Sequence, residues 1–181
     1  VGEASSLAVD ADGNAHISYY DFIRGDLKYA RWTGSAWSIE IVDSLGNVGY
    51  FTSLALDGAG NPHIGYHTLD GRDLKYARWT GTSWTFEMIE GPGANVGPWG
   101  LSLKLDAADT AHVGYHTGGD IKYARRAPTG WQIQVIAAAT GSEVALALDA
   151  AGNPHLSFQT GLTEDVRYAS WNGTAWVIET V

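Results

Sequence analysis

The stretch Asp57-Gly-Ala-Gly-Asn-Pro-His-Ile-Gly-Tyr-His67, with Asp73-Leu-Lys-Tyr-Ala-Arg-Trp79 just beyond it, decides the fold. Gly60-Asn61 supplies the positive-φ residues that a hairpin turn needs. Pro62 opens the next run, at a strand's first residue, where a missing N–H is tolerated. Upstream, Ser53-Leu-Ala-Leu-Asp57 alternates large and small apolar residues as a strand does. The second strand is His63–His67 and the third Leu74–Trp79. Thr80-Gly-Thr-Ser then turns the chain into a fourth, Trp84-Thr-Phe-Glu-Met-Ile-Glu90. No helical stretch of 10 or more residues interrupts the pattern.

The same unit occurs four times. His16, His63, His112 and His155 are separated by 47, 49 and 43 residues. Each is preceded by a Leu-x-(Val/Leu)-Asp run, at Leu7–Asp10, Leu54–Asp57, Leu103–Asp106 and Leu146–Asp149. The third-strand block recurs as Asp26–Trp32, Asp73–Trp79, Asp120–Arg126 and Asp165–Trp171, and a Gly-containing turn leads each time to Trp37, Trp84, Trp131 or Trp176. The units run over 1–47, 48–95, 96–139 and 140–181 of one domain. Four short antiparallel strands per unit of this length predict an all-β β-propeller, four blades of four antiparallel strands. A blade packs both faces, so both parities of its strands carry apolar or small residues. Leu74 and Tyr76 share one face, while Lys75 and Trp79 flank Ala77 on the other. Between the leucines of strand one lie Ala8, Ala55 and Ala147, small enough for a crowded axis. Lys104 breaks that pattern and reads as solvated.

Composition narrows the function. The 181 residues are 45% apolar and 17% charged, as in a packed globule, and eight Trp, nine Tyr, four Phe and 23 Gly suit strands and turns. A net charge of −9 repels phosphate backbones and anionic headgroups, which argues against nucleic acid. No apolar window of 18 residues exists, so membrane insertion is not expected. With no cysteine, disulfides, zinc fingers and thiol catalysis drop out. The opening Val1, without initiator Met or signal segment, reads as a processed chain or part of a longer one.

The Asp57–His67 and Asp73–Trp79 strings resemble repeats of bacterial extracellular propeller proteins, the sialidase-like or BNR-like group. The resemblance covers the whole chain and implies the propeller fold and a secreted or cell-surface location. The Asp-box Ser/Thr-x-Asp-x-Gly-x-Thr-Trp of sialidases is not present as such, no cluster of three arginines with a Tyr/Glu pair can be assigned, and sialidase propellers need six blades. Sialidase activity is therefore not expected. Tyr19-Tyr20, Leu27-Lys-Tyr-Ala-Arg-Trp32 and Gly34-Ser-Ala-Trp37 also resemble the blades of propeller lectins. That resemblance implies sugar sites between adjacent blades, with Trp stacked on the sugar face and Arg or acidic groups on hydroxyls.

Trp32, Trp79 and Trp171, replaced by Arg126 in the third unit, end strand three near a rim. With Arg31, Arg78 and Arg125 they form a candidate sugar platform, since aromatic faces and guanidinium forks suit carbohydrate rings and hydroxyls. Tyr20, His67 and His116, with Gln159, follow the repeat histidine by four, on its own face but roughly 13 Å away, too far to share an ion. They differ between blades and join the candidate ligand set. Phe22, Tyr50, Phe51 and Trp99 are rim aromatics without repeat equivalents. The repeat histidines read as anchors that bond a turn backbone group, or as a ring of imidazoles for a metal or anion. Asp10-Ala-Asp-Gly-Asn14 opens like a calcium loop, with Asp10, Asp12 and Asn14 as oxygen ligands. Ala59, Ala108 and Ala151 replace Asp12 elsewhere and no twelfth-position Glu follows, so these aspartates read as Asx turns. Asp26, Asp73, Asp120 and Asp165 stand two residues before Lys28, Lys75, Lys122 and Arg167, placed to pair within or between blades. Trp37, Trp84, Trp131 and Trp176 read as inter-blade packing, and Glu40, Glu87 and Glu179 as charges that protect strand edges.

Near-identical blades give near-identical environments, whereas an acid–base pair needs separated pKa values. The leading expectation is therefore a non-enzymatic binding or display module, with carbohydrate as ligand class and no cofactor. An alternative is a glycosidase or polysaccharide lyase using His67 or His116 with Tyr66 or Tyr115. A third is a structural scaffold that self-assembles. No strand shared between the termini is visible, so a closed four-bladed ring and a homodimer forming an eight-bladed ring are both open.

Overall fold

The computed structural model describes residues 2–93, 95–138, 141–161 and 165–181, without the side chains of 98, 99, 141 and 142. The described residues are all-β. The first blade is β1 (Gly2–Val9), β2 (Ala15–Asp21), β3 (Asp26–Trp32) and β4 (Trp37–Asp43). The second is β5 (Val48–Leu56), β6 (Pro62–Thr68), β7 (Leu74–Trp79) and β8 (Trp84–Glu90). The third is β9 (Val96–Leu105), β10 (Ala111–Thr117), β11 (Asp120–Ala127) and β12 (Gly130–Ala138), and the fourth β13 (Gly141–Leu148), β14 (Pro154–Thr160), β15 (Val166–Trp171) and β16 (Trp176–Thr180). Each set forms one four-stranded antiparallel sheet in chain order, the blade that the repeat predicts. No helix of the described residues is long and apolar enough to cross a membrane. The chain forms two compact units, residues 1–94 and 95–181, with two blades each.

Strand one starts earlier than its alternation indicates: β5 begins at Val48, not Ser53. A bulge hides the start. Ala4, Phe51, Gly100 and Glu143 each precede the strand-one leucine by three residues, each has positive φ, and the pairing register slips beside them. A bulge inverts the period-two pattern, so the residues before it read out of phase.

Within each unit the core lies between its two blades. In the first, Leu27, Tyr29 and Val42 pack on Val48, Leu54, Ile64, Tyr66 and Ala77. In the second, Ile121, Tyr123 and Ile136 meet Val144, Leu146, Leu156, Phe158 and Ala169. Leu54, covered by the first blade, is 7% exposed, whereas its equivalent Leu7 is 62% exposed. Lys104 is exposed.

The turn after strand one is the expected Asx turn in every blade. Asp10 Oδ1 accepts from the Asp12 and Asn14 amides at 3.0 and 2.8 Å, and Asp57, Asp106 and Asp149 repeat the pattern. Asn14 turns its amide nitrogen, a donor, toward the Asp10 carboxylate, at 3.0 Å from Oδ2. The Asp10 carboxyl is held down to about 2, chiefly by the Asn14 side chain and then its backbone N–H.

Three expectations need correction. The repeat histidines bond side chains rather than turn backbone: His16, His63, His112 and His155 each meet the strand-three tyrosine hydroxyl through Nδ1 and face the turn aspartate through Nε2. Lys28 and Lys75 bond not the aspartates two residues before them but Asp21 and Asp43, respectively, both at 2.5 Å. Asp21 ends the neighbouring strand, diagonally across the β2–β3 ladder from Lys28, and Asp43 ends β4, where it receives Lys75 from the second blade. Trp37 is 46% exposed and its ring meets Trp32 of its own blade, whereas Trp84 and Trp176 do pack across blades.

Candidate functional site

Period-two alternation puts Tyr29 and Arg31 on the face of β3 that looks at the second blade, and Trp32 on the face that looks away. On β7 of the second blade, Trp79 and Ala77 look back at the first. The arginine of one blade therefore meets the tryptophan of the next, not its own sequence neighbour. A cavity of about 390 Å³ lies there, lined by Tyr29, Arg31, Ser38 and Glu40 of the first blade and Trp79 and the Ala59–Pro62 turn of the second. The second unit repeats the arrangement. A cavity of about 300 Å³ is lined by Tyr123, Arg125, Gln132, Gln134, Trp171 and the Ala151–Pro154 turn, together with Asp106 and His112. Both volumes fall within the range of small-ligand sites.

The walls are built by the repeat itself. Tyr29 pairs across strands with Glu40, and Arg31 with Ser38; Tyr123 pairs with Gln134, and Arg125 with Gln132. Trp84 stands edge-on to Tyr29 at 5.7 Å, and Trp176 to Tyr123 at 5.3 Å. Behind each tyrosine sits the repeat histidine. His112 Nε2 lies 3.2 Å from Asp106 and Nδ1 lies 2.5 Å from the Tyr123 hydroxyl. An ionised carboxylate only accepts, so Nε2 carries the proton and Nδ1 accepts from the tyrosine O–H. Burial keeps His112 below the usual histidine value, in keeping with a neutral ring. Burial likewise pushes the Tyr29 hydroxyl up to about 12 and raises Tyr123. The Asp–His–Tyr chain thus fixes the ring that walls the cavity.

The sequence-predicted site residues fall into three places. Arg31 and Trp79 meet in the first cavity, Arg125 and Trp171 in the second. Trp32 and Arg78 line neither cavity; Trp32 is half-buried against Trp37. Tyr20, His67 and His116 are buried, at 2%, 2% and 9% exposure, and belong to neither cavity. Tyr20 donates to Asn47 at 2.5 Å and meets Phe22 and Tyr50 edge-on, and Phe51 adjoins Tyr50. The Trp99 side chain lies outside the described residues. Tyr66 and His67, neighbours on β6, point to opposite faces, and the Tyr66 hydroxyl donates to Asp43 at 2.7 Å, so they do not converge as an acid–base pair. Among the described residues, no three of His, Asp and Glu stand close enough to share a metal ion.

Sequence reasoning missed Glu40 and Gln134, reading the glutamates of strand four as edge protection, and it missed Tyr29 and Tyr123. The available signal was positional: Glu40, Glu87, Gln134 and Glu179 all stand opposite the repeat tyrosine.

No protein family matches the sequence, and no curated protein matches it either. Solved structures share the fold. A triple arginine-to-alanine mutant of AofleA from Arthrobotrys oligospora superposes with a TM-score of 0.70 at 12% identity, over 98% of this chain and 56% of that one. The SapL1 lectin in complex with alpha methyl fucoside superposes with a TM-score of 0.69 at 15% identity, over 97% of this chain and 62% of its own. An ulvan lyase, described as a new family of polysaccharide lyase, gives a TM-score of 0.65 at 16% identity, over 96% and 56%. The chain thus spans less than two thirds of each.

Proposed function

We propose that this chain is a carbohydrate-binding propeller module whose sugars sit in the two inter-blade cavities. The observation that carries the reading is the recurrence of one lining set, Tyr, Arg and the turn from strand one to strand two with a Trp beside it, at equivalent positions of both units. Trp79 and Trp171 are half-buried, so each offers a ring face to the apolar side of a pyranose. Arg31 and Arg125 are exposed guanidinium donors for ring hydroxyls. Binding requires no proton transfer, only contact with these groups. The fold likeness to a lectin holding alpha methyl fucoside supports the ligand class.

The test is calorimetric titration with methyl α-fucoside and a glycan array, on the wild-type chain and on the combined Arg31→Ala, Arg125→Ala variant. Binding by the wild type and its loss in the variant, with unchanged thermal stability, is the expected result. Array silence and no thermal shift from any sugar would sink the proposal.

A further inference from the structure

The first blade exposes one half of a blade junction and the fourth blade exposes the other. In each unit the leading blade offers an aliphatic residue and the repeat tyrosine of strand three, Leu27 with Tyr29 or Ile121 with Tyr123. The blade that follows covers them with strand-one and strand-two residues, Leu54, Ile64 and Tyr66 or Leu146, Leu156 and Phe158. The repeat puts Leu7, Ile17 and Tyr19 at the covering positions of the first blade, and Val166 and Tyr168 at the leading positions of the fourth. Val166 is 49% exposed where Leu27 and Ile121 are 0% exposed. Leu7 and its neighbour on the same face, Val9, are exposed as well. Beside Val166 lies a hollow of about 370 Å³ floored by Ala145, Ser157 and Gln159. Contiguous apolar surface of this kind marks an interaction site. Lys28, the equivalent of Lys75, bonds Asp21 of its own blade at 2.5 Å, so covering the first blade's face strands no lysine charge.

One matched pair of residues in each junction names the occupant. In the first unit Ser18 Oγ donates to Thr52 Oγ1 of the next blade at 2.8 Å. In the second unit Gly114 holds the position of Ser18, and a Cβ there would stand 3.1 Å from Val144 Cγ1, at the position of Thr52. Serine meets a hydroxyl and glycine meets an aliphatic side chain. The fourth blade carries Ser157 at this position, and the first blade carries Ser5 where Thr52 and Val144 stand. Both serines are exposed. The chain thus bears its own complement. We infer that a second copy packs its first blade on the fourth blade of this one, head to tail, through the junction that joins blades within each unit. A head-to-tail contact either propagates or closes. Two copies of four blades each make the contact twice and close within the roughly four to eight blades that propellers use.

Light scattering coupled to size exclusion should give twice the chain mass. Leu7→Asp puts an unpaired carboxylate into one half of the junction and Val166→Asp into the other. Each should weaken the pairing by about a hundredfold or more, while the circular-dichroism spectrum stays that of the wild type because both positions are exposed in the single chain. The chain has no cysteine, so introduced thiols report without background. The combined Ser5→Cys, Ser157→Cys variant should oxidise to a covalent dimer. A mixture of the two single variants should do the same, and neither single variant should do so alone. The mass of one copy at every concentration would overturn the inference, as would a disulfide between positions 5 and 157 of one chain. A pair that survives both aspartates, or that links position 5 to position 5, would overturn it by placing the contact on another face, and a mass beyond two copies would overturn the closed pair.

Discussion

Lys75 Nζ lies 2.5 Å from Asp43 Oδ2, joining β7 of the second blade to β4 of the first. Tyr66 donates to the same oxygen at 2.7 Å. Burial raises the Asp43 carboxyl, but the bonds from Lys75 and Tyr66 outweigh it and leave the group below its ordinary value. Removing the cation strands a buried charge. Lys75→Met should therefore destabilise the chain by about 3 kcal/mol, and Asp43→Asn together with Lys75→Met by clearly less. Urea unfolding of the three proteins decides it, and equal loss from the single and double variants would show the ion pair to be irrelevant.

Acid should weaken the fold in a definite window. An aspartate in an unfolded chain titrates near 3.9, whereas Asp10 is held down to about 2 by Asn14, and Asp149 is lowered by Asn153 in the same way. Because the folded value is the lower one, the unfolded chain takes the proton first as pH drops. The stabilisation is complete above about pH 4 and is lost as pH falls toward about 2. The urea midpoint should fall across that window, and in Asn14→Ala the NMR titration of Asp10 should move up toward 3.9. An Asp10 that already titrates near 3.9 in the wild type would contradict the turn geometry.

The repeat made the blades legible, because strand alternation and turn residues recur at fixed spacing. Sidedness was not. Arg31 and Trp32 are adjacent in sequence, yet a strand sends neighbours to opposite faces, so the platform assembles from Arg31 with Trp79 and from Arg125 with Trp171. The bulges were invisible because Ala4, Phe51 and Glu143 have positive φ without being glycine. Glu40 was misread because its role depends on which blade faces it, which composition does not encode.

Those bulges make a direct prediction. A left-handed conformation costs a non-glycine residue roughly 1 kcal/mol, so Ala4→Gly should stabilise by up to about 1 kcal/mol. At the equivalent third-blade position a Cβ on Gly100 would stand 2.4 Å from Val144 N, and φ there is 88°. Gly100→Ala should cost roughly 3 kcal/mol. Thermal melts showing the opposite order would mean that the bulge is not built as described.

The Asp–His–Tyr chain links the repeat signature to the cavity. Tyr123→Phe leaves His112 Nδ1 buried without its donor, at a cost of about 1–3 kcal/mol. It also frees the ring that walls the second cavity. Sugar binding sensed at Trp171 should weaken while binding sensed at Trp79 is unchanged. Parallel weakening at both would place the effect in global stability and not in the wall.

Trp84 and Trp176 isolate a single hydrogen bond from ring packing. Both stack edge-on against a repeat tyrosine, at 5.7 and 5.3 Å, and both meet the tryptophan that ends strand three, at 5.6 and 5.7 Å. Their indole nitrogens differ: Trp176 donates to Gln134 at 2.8 Å, while the buried Trp84 Nε1 has no hydrogen-bond partner. Replacing either by Phe removes similar ring area, so the packing losses are comparable. In Trp84→Phe the substitution also removes an unsatisfied donor, which offsets part of the loss. In Trp176→Phe it breaks a made bond and releases the Gln134 amide oxygen. Trp176→Phe should therefore be the more destabilising by about 1 kcal/mol. Chemical denaturation of the two variants and the wild type measures the difference. Equal stability losses would mean that the Trp176–Gln134 bond adds nothing beyond the ring packing.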